Sequence, residues 1–177
     1  MYIWIASDIS VAYESIRRKC IEYNREIGLN ELAFMLPQHI SLKISFEVEN
    51  SIAPRVIDDV SQYLSNNAPF TVGKPSAQIF GNILWLRFPY NESLERLHSE
   101  LDDLLAKKYG IPQHAFDRDF VFHSTLFIDD DAISLEEMLR KAMNLEYPEC
   151  TVDRFIIGSS DSGRAGTYSV IKLIEAK

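Results

Sequence analysis

At 177 residues the chain is long enough to bury about 70% of its unfolded surface, so it needs no disulfide framework and no structural metal. A net charge of −8 excludes the broad positive footprint that duplex DNA binding requires, yet it leaves room for a nucleotide or a short RNA end in a locally positive cleft. Two cysteines without metal or redox spacing, no basic leader and no run approaching ~20 apolar residues lead us to expect one cytoplasmic, monomeric domain over 1–177, with no membrane partner and no cofactor.

Tyr2 to Ala6 alternates like a strand, with Tyr2, Trp4 and Ala6 on one face and Ile3 and Ile5 on the other. Ser10 is the expected cap of a helix carrying Ile16, Cys20, Tyr23 and Ile27 on one stripe, and Gly28 is its stop. Cys20 falls on the apolar face and reads as core. After Pro37 comes His39-Ile40-Ser41-Leu42-Lys43-Ile44-Ser45-Phe46. Here His39, Ser41, Lys43 and Ser45 share one parity and the apolar residues share the other. On a strand this places an imidazole and a hydroxyl on one face, roughly 6.5 Å apart.

Ser51 and Pro54 open a second helix with Val56, Ile57, Val60, Tyr63 and Leu64 inward. Phe70 to Gly73, Ala77 to Phe80 and Ile83 to Phe88 read as a meander of short strands. Asn91 caps a third helix that ends at Gly110. His98 lies near the edge of its stripe and reads as structural or solvent-facing. His114 falls in the loop after Pro112, exposed or near a cleft mouth.

A second alternating run spans Phe120 to Ile128. His123, Thr125 and Phe127 share one face, and Ser124, Leu126 and Ile128 the other. Ser124 is therefore expected to be buried. Asp129-Asp130-Asp131 lacks the alternating ligands of a calcium loop and reads as a solvated turn. Ser134-Leu135-Glu136-Glu137 reads as a capping box, with Leu135, Met138, Leu139, Ala142 and Met143 inward. Thr151 to Ile157 and Tyr168 to Ile174 are strands. Between them, Gly158 to Thr167 is glycine-rich but has no Gly-Lys-Ser/Thr and opens no helix, so it is not a phosphate loop. Arg164 in that loop is a further candidate phosphate contact.

Both alternating runs carry His-x-(Ser/Thr)-apolar, at 39 and at 123. Two facing imidazoles suit acid–base chemistry on a phosphate ester, because one can be neutral while the other is protonated near neutral pH. Ser41 and Thr125 can donate to phosphoryl oxygens. Lys43 adds positive charge or sits at the rim. Tyr2, Trp4, Trp85 and Tyr168 are candidate platforms for a stacked base. Which histidine is base and which is acid stays open.

The segments Leu36–Leu42 and Arg118–Leu126 resemble the two-histidine (2H) phosphoesterases, which include the 2′–5′ RNA ligase-like proteins and cyclic phosphodiesterases. Ser41 stands where that family more often has Thr, and Phe122 where Pro often precedes the second His. The resemblance implies an α+β fold: two pseudo-symmetric lobes of antiparallel sheet, helices outside, and a central cleft with one motif per lobe. It implies metal-independent cleavage of 2′,3′-cyclic or 2′–5′-linked phosphodiesters by His39 and His123, and a phosphate or ribose contact at Arg118. RNA ligation and non-catalytic nucleotide binding are the alternatives.

Overall fold

The computed structural model describes residues 1–177 and shows an α+β fold in which every strand pairing is antiparallel. Strands β1 (Tyr2–Asp8), β2 (His39–Glu47), β8 (Arg154–Ser160) and β9 (Ser169–Glu175) form one sheet in the order β2-β1-β8-β9. Strands β4 (Ser76–Phe80), β5 (Ile83–Arg87) and β6 (His123–Ile128) form a second in the order β4-β5-β6. The short β3 (Phe70–Val72) pairs with β7 (Cys150–Val152), so the expected meander is broken: β3 leaves its neighbour in sequence for a partner 80 residues away.

Helices α2 (Ala53–Ser65) and α3 (Glu92–Tyr109) pack on the four-stranded sheet, α4 (Ala132–Ala142) on the three-stranded one, and α1 (Ser10–Ile27) against α4. Their inward stripes join the sheets in one main core, with Ile16, Cys20, Val56, Val60, Leu97, Leu101, Leu135 and Met138 all buried. Burial raises the Cys20 thiol to about 12, which leaves it an inert packing group. Gly28 and Gly110 end α1 and α3 with positive φ, as the sequence pattern predicts.

Three local expectations are corrected. Ser10 is the first helical residue and not the cap; the Asp8 carboxylate accepts from its backbone N–H at 2.8 Å. The fourth helix starts before Ser134, because Asp131 caps it by accepting from the N–H groups of Ile133 and Ser134. That helix also ends earlier than its stripe suggests, leaving Met143 exposed.

The motif strands lie at the edges where the sheets approach each other, and β2 contacts β6. Each carries a bulge at the same place. Ala6 opposes Ser41 and Ile5 opposes Lys43, so Leu42 is the extra residue. Trp85 opposes Thr125 and Leu84 opposes Phe127, so Leu126 is the extra residue. A bulge flips the parity beyond it. Phe127 consequently turns into the core, edge-on to Phe34 at 5.0 Å, and does not join the His123 face.

Lys43 is turned inward in the same way. It is neither a rim lysine nor an available phosphate ligand: it is 2% exposed, and its ammonium lies 2.7 Å from the Asp102 carboxylate and against that of Asp117. Beside it, His98 is buried with its ring nitrogens 2.8 Å and 3.0 Å from the carbonyls of Leu42 and Asp117, and Asp102 lies 3.8 Å away. The structural reading of His98 holds, but it has an acidic neighbour one turn along α3. His98, Asp102 and Asp117 are spaced as metal ligands would be, with the Lys43 ammonium supplying a cation against both carboxylates. Lys43→Met strands two buried carboxylates, so we expect a loss of about 3–5 kcal/mol in urea unfolding.

Candidate active site

Between the two sheets lies a cavity of about 680 Å³ lined by both motif histidines, Ser41 and a mostly apolar wall. Its size suits a nucleotide-sized ligand. His39 and His123 are built alike. Each is the first residue of its strand, and each Nδ1 meets the carbonyl two residues back: Pro37 at 2.8 Å and Val121 at 2.7 Å. A carbonyl can only accept, so both Nδ1 atoms carry hydrogen and both Nε2 atoms remain free.

Each ring also leans on a tryptophan from the neighbouring strand. Trp4 and His39 lie 4.6 Å apart at 42°, and Trp85 and His123 lie 4.2 Å apart at 41°. The far sides of these indoles are occupied too. Trp85 stacks on Phe80 at 5.0 Å and 7°, and Trp4 lies against the backbone of Gly158. Neither indole is therefore a free base platform; both serve as backing for the histidines. Their Nε1 donors are buried without a partner.

The remaining expected residues are distributed as follows. Tyr168 lines the cavity and its hydroxyl pairs with Ser45. Tyr2 is outside the lining, packed beneath Gly163, because its end of β1 is covered by the 158–167 loop. Arg118 is exposed, outside the lining and without an ion pair, because the short 3₁₀ turn at Ala115–Asp117 directs Asp117, not Arg118, inward to Lys43. Thr125 is half-buried on the His123 face but lies outside the cavity lining. Ser124 is buried as expected, but its partner is a side chain: the Gln38 amide donates to its hydroxyl at 2.6 Å and to the Thr125 carbonyl at 3.1 Å.

Sequence reasoning missed Gln38, Arg87, Phe80 and Phe116. Arg87 pairs with His123 across β5 and β6 and lines the cavity. Only the strand register reveals it. Phe80 and Phe116 also line the cavity and are 64% and 73% exposed. An exposed aromatic at the end of a strand or in a loop leaves no periodic signal.

The family model of the 2′-5′ RNA ligase superfamily matches residues 13–164. The chain belongs to this superfamily. The fold is similar to that of TT0787 from Thermus thermophilus, with TM-score 0.68 and 17% identity over 99% of this chain and 97% of that one. It is also similar to E. coli LigT complexed with 3′-AMP, with TM-score 0.62 and 17% identity over the same shares of the two chains. Kluyveromyces marxianus Usb1 is a more distant likeness, at TM-score 0.50 and 13% identity over 98% of this chain and 97% of that one. No curated protein sequence matches the chain. The two-lobed α+β architecture expected of the superfamily is the one observed.

Burial lowers the pKa of both histidines below the usual 6.5. At His39 the approach of His123 lowers it further, while the Pro37 carbonyl and the Asp8 charge oppose the shift; at His123 the Val121 carbonyl opposes it. The approach of the two rings makes protonating both together less favourable than protonating His39 alone. Since both folded pKa values lie below the unfolded value, the unfolded chain binds more protons once pH falls below about 6.5. Stability contributed by the neutral rings is therefore present above that pH and is lost as pH falls toward the folded values. His39→Gln/His123→Gln should flatten this part of the pH dependence of the urea midpoint.

A Cβ on Gly158 would fall 2.1 Å from Trp4 Nε1. We expect Gly158→Ala to displace Trp4 and with it His39, changing the tryptophan fluorescence and the His39 imidazole resonances while leaving those of His123 in place.

Proposed function

We propose that the protein is a phosphodiesterase acting on 2′,3′-cyclic or 2′–5′-linked nucleotide or RNA phosphodiesters, with His39 and His123 as its acid–base pair. The observation that carries this reading is the matched pair of histidines, each held as the Nδ1–H tautomer at a common cavity. Superfamily membership and the nucleotide complex of its structural neighbour LigT support it.

In this scheme the Nε2 of the neutral ring removes a proton from water as the water oxygen bonds to phosphorus. The protonated Nε2 of the other ring gives its proton to the departing ribose oxygen as the P–O bond breaks. Attack and departure are in line, so two groups on opposite walls of one cavity are what the geometry of phosphoryl transfer requires. The Ser41 hydroxyl faces the cavity and can donate to a non-bridging oxygen; Thr125 would do so from its half-buried position on the His123 face. The backbone carbonyls hold both tautomers, so neither ring must reorganise before proton transfer.

The test is turnover of a 2′,3′-cyclic nucleotide in EDTA by the wild type, His39→Ala and His123→Ala. Each variant should fold and lose at least ~100-fold, since one acid–base group contributes 10²–10⁴-fold. The kcat/KM profile should be bell-shaped, with its maximum displaced to the acid side of an ordinary histidine pair. Turnover that survives both substitutions would show that other groups do the chemistry.

A further inference from the structure

The two motif strands belong to different sheets, and no strand pairing joins β2 to β6. Register within either sheet therefore leaves open how far His39 stands from His123. In-line phosphoryl transfer makes that separation decisive, because one ring must reach the attacking oxygen and the other the departing one. A contact outside the strand ladders has to set it.

Gln38 is placed to do so. It is the residue before His39, and on an extended chain it points to the face opposite the imidazole. Ser124 bears the same relation to His123 from the other side of its ring. Both side chains are buried, at 5% and 1% exposure, and neither lines the cavity. Behind the histidines, the Gln38 Nε2 donates to the Ser124 hydroxyl at 2.6 Å and to the Thr125 carbonyl at 3.1 Å. A carbonyl only accepts, so the amide nitrogen and not its oxygen must face Thr125. The backbone of Gln38 is held as well, because its carbonyl accepts from the N–H of Ile9 at 3.0 Å. The residue is thus anchored on the first lobe and grips the backbone and a side chain of the second.

Resting on the two-histidine reading above, we propose that Gln38 is a positioning residue: its amide draws the two motif strands together and holds His39 and His123 at their working separation, without touching substrate. Its loss falls on kcat more than on KM, because the cavity lining is untouched while the reacting groups shift. The fold survives that loss. The contact between Lys43 and Asp117 and the shared core still keep β2 near β6.

Gln38→Met keeps the length and bulk of the side chain and removes its donors. It should remain folded and lose about 10- to 100-fold in kcat toward a 2′,3′-cyclic nucleotide, with KM within about twofold, since a misplacement of about 1 Å can cost 10²-fold. The same variant leaves the Ser124 hydroxyl without its partner, which lowers the urea midpoint whatever the role of the amide. Gln38→Met/Ser124→Ala relieves that penalty, so its midpoint should recover toward wild type while kcat stays low. Recovery of kcat together with the midpoint would overturn the proposal, since only stability would then depend on the amide. A second readout needs no turnover. The imidazole resonances of His39 report its titration, which the nearness of His123 shifts downward. His123→Gln should therefore raise the His39 titration midpoint in the wild-type background, and raise it less in the Gln38→Met background. An equal or larger rise in Gln38→Met would overturn the proposal, because the rings would then stand as close without the tether as with it. A wild type that turns over no cyclic nucleotide, with the rise reduced as expected, would overturn only the catalytic reading.

Discussion

The carboxamide of Gln38 is the contact on which the site depends. Gln38 immediately precedes His39, is itself buried, and reaches across to the hydroxyl of Ser124 and the carbonyl of Thr125, the two residues that follow His123. Its own carbonyl accepts from the N–H of Ile9 at the start of α1. Through its side chain and its backbone carbonyl together, this one residue couples the first motif, the second motif and the first helix. In a buried setting an amide nitrogen that donates to two acceptors is directional in a way that apolar packing is not, so it specifies the relative placement of the strands as well as their proximity.

Around that tether the two halves repeat one construction with different materials. A histidine opens the strand, a backbone carbonyl two residues back selects its tautomer, a tryptophan from the adjacent strand leans on its ring, and a bulge follows the motif hydroxyl. The support behind the tryptophan differs. On one side a glycine lets the indole lie against backbone; on the other a phenylalanine stacks over it. Charge breaks the symmetry further, because Asp8 stands across from His39 and Arg87 across from His123. Two rings with equivalent hydrogen bonds therefore occupy unequal electrostatic surroundings, which a reaction needing one base and one acid can use.

The ion cluster under the first motif has a structural role. Lys43, Asp102, Asp117 and His98 tie β2 and α3 to the loop that leads into β6. Asp117 also accepts from the N–H of His114 at 2.7 Å, which closes the 3₁₀ turn carrying Phe116. The cluster thus connects the motif strand to the rim of the cavity. Breaking such a buried set is costly because the remaining carboxylates lose their counter-charge while still shielded from water.

Most strands, the four helices and both motifs were legible in the sequence, because hydrophobic period and capping residues are local properties. So was the inward turn of Ser124, since parity near a strand's start needs no knowledge of its partner. Parity past the bulges was not legible: the extra residues at Leu42 and Leu126 exist only by comparison with the strands opposite, and they sent Lys43 and Phe127 into the interior. The pairing of β3 with β7, the Gln38 tether, the occupation of Trp4 and Trp85 by the histidines, and the presence of Arg87 at the cavity all depend on residues far apart in the chain. The sequence by itself determined which chemical groups were available and which local elements carry them. The tertiary structure alone decided which groups face the cavity and which are spent on one another, because register and long-range pairing assign each side chain its neighbours, and those neighbours set its charge, exposure and freedom to act.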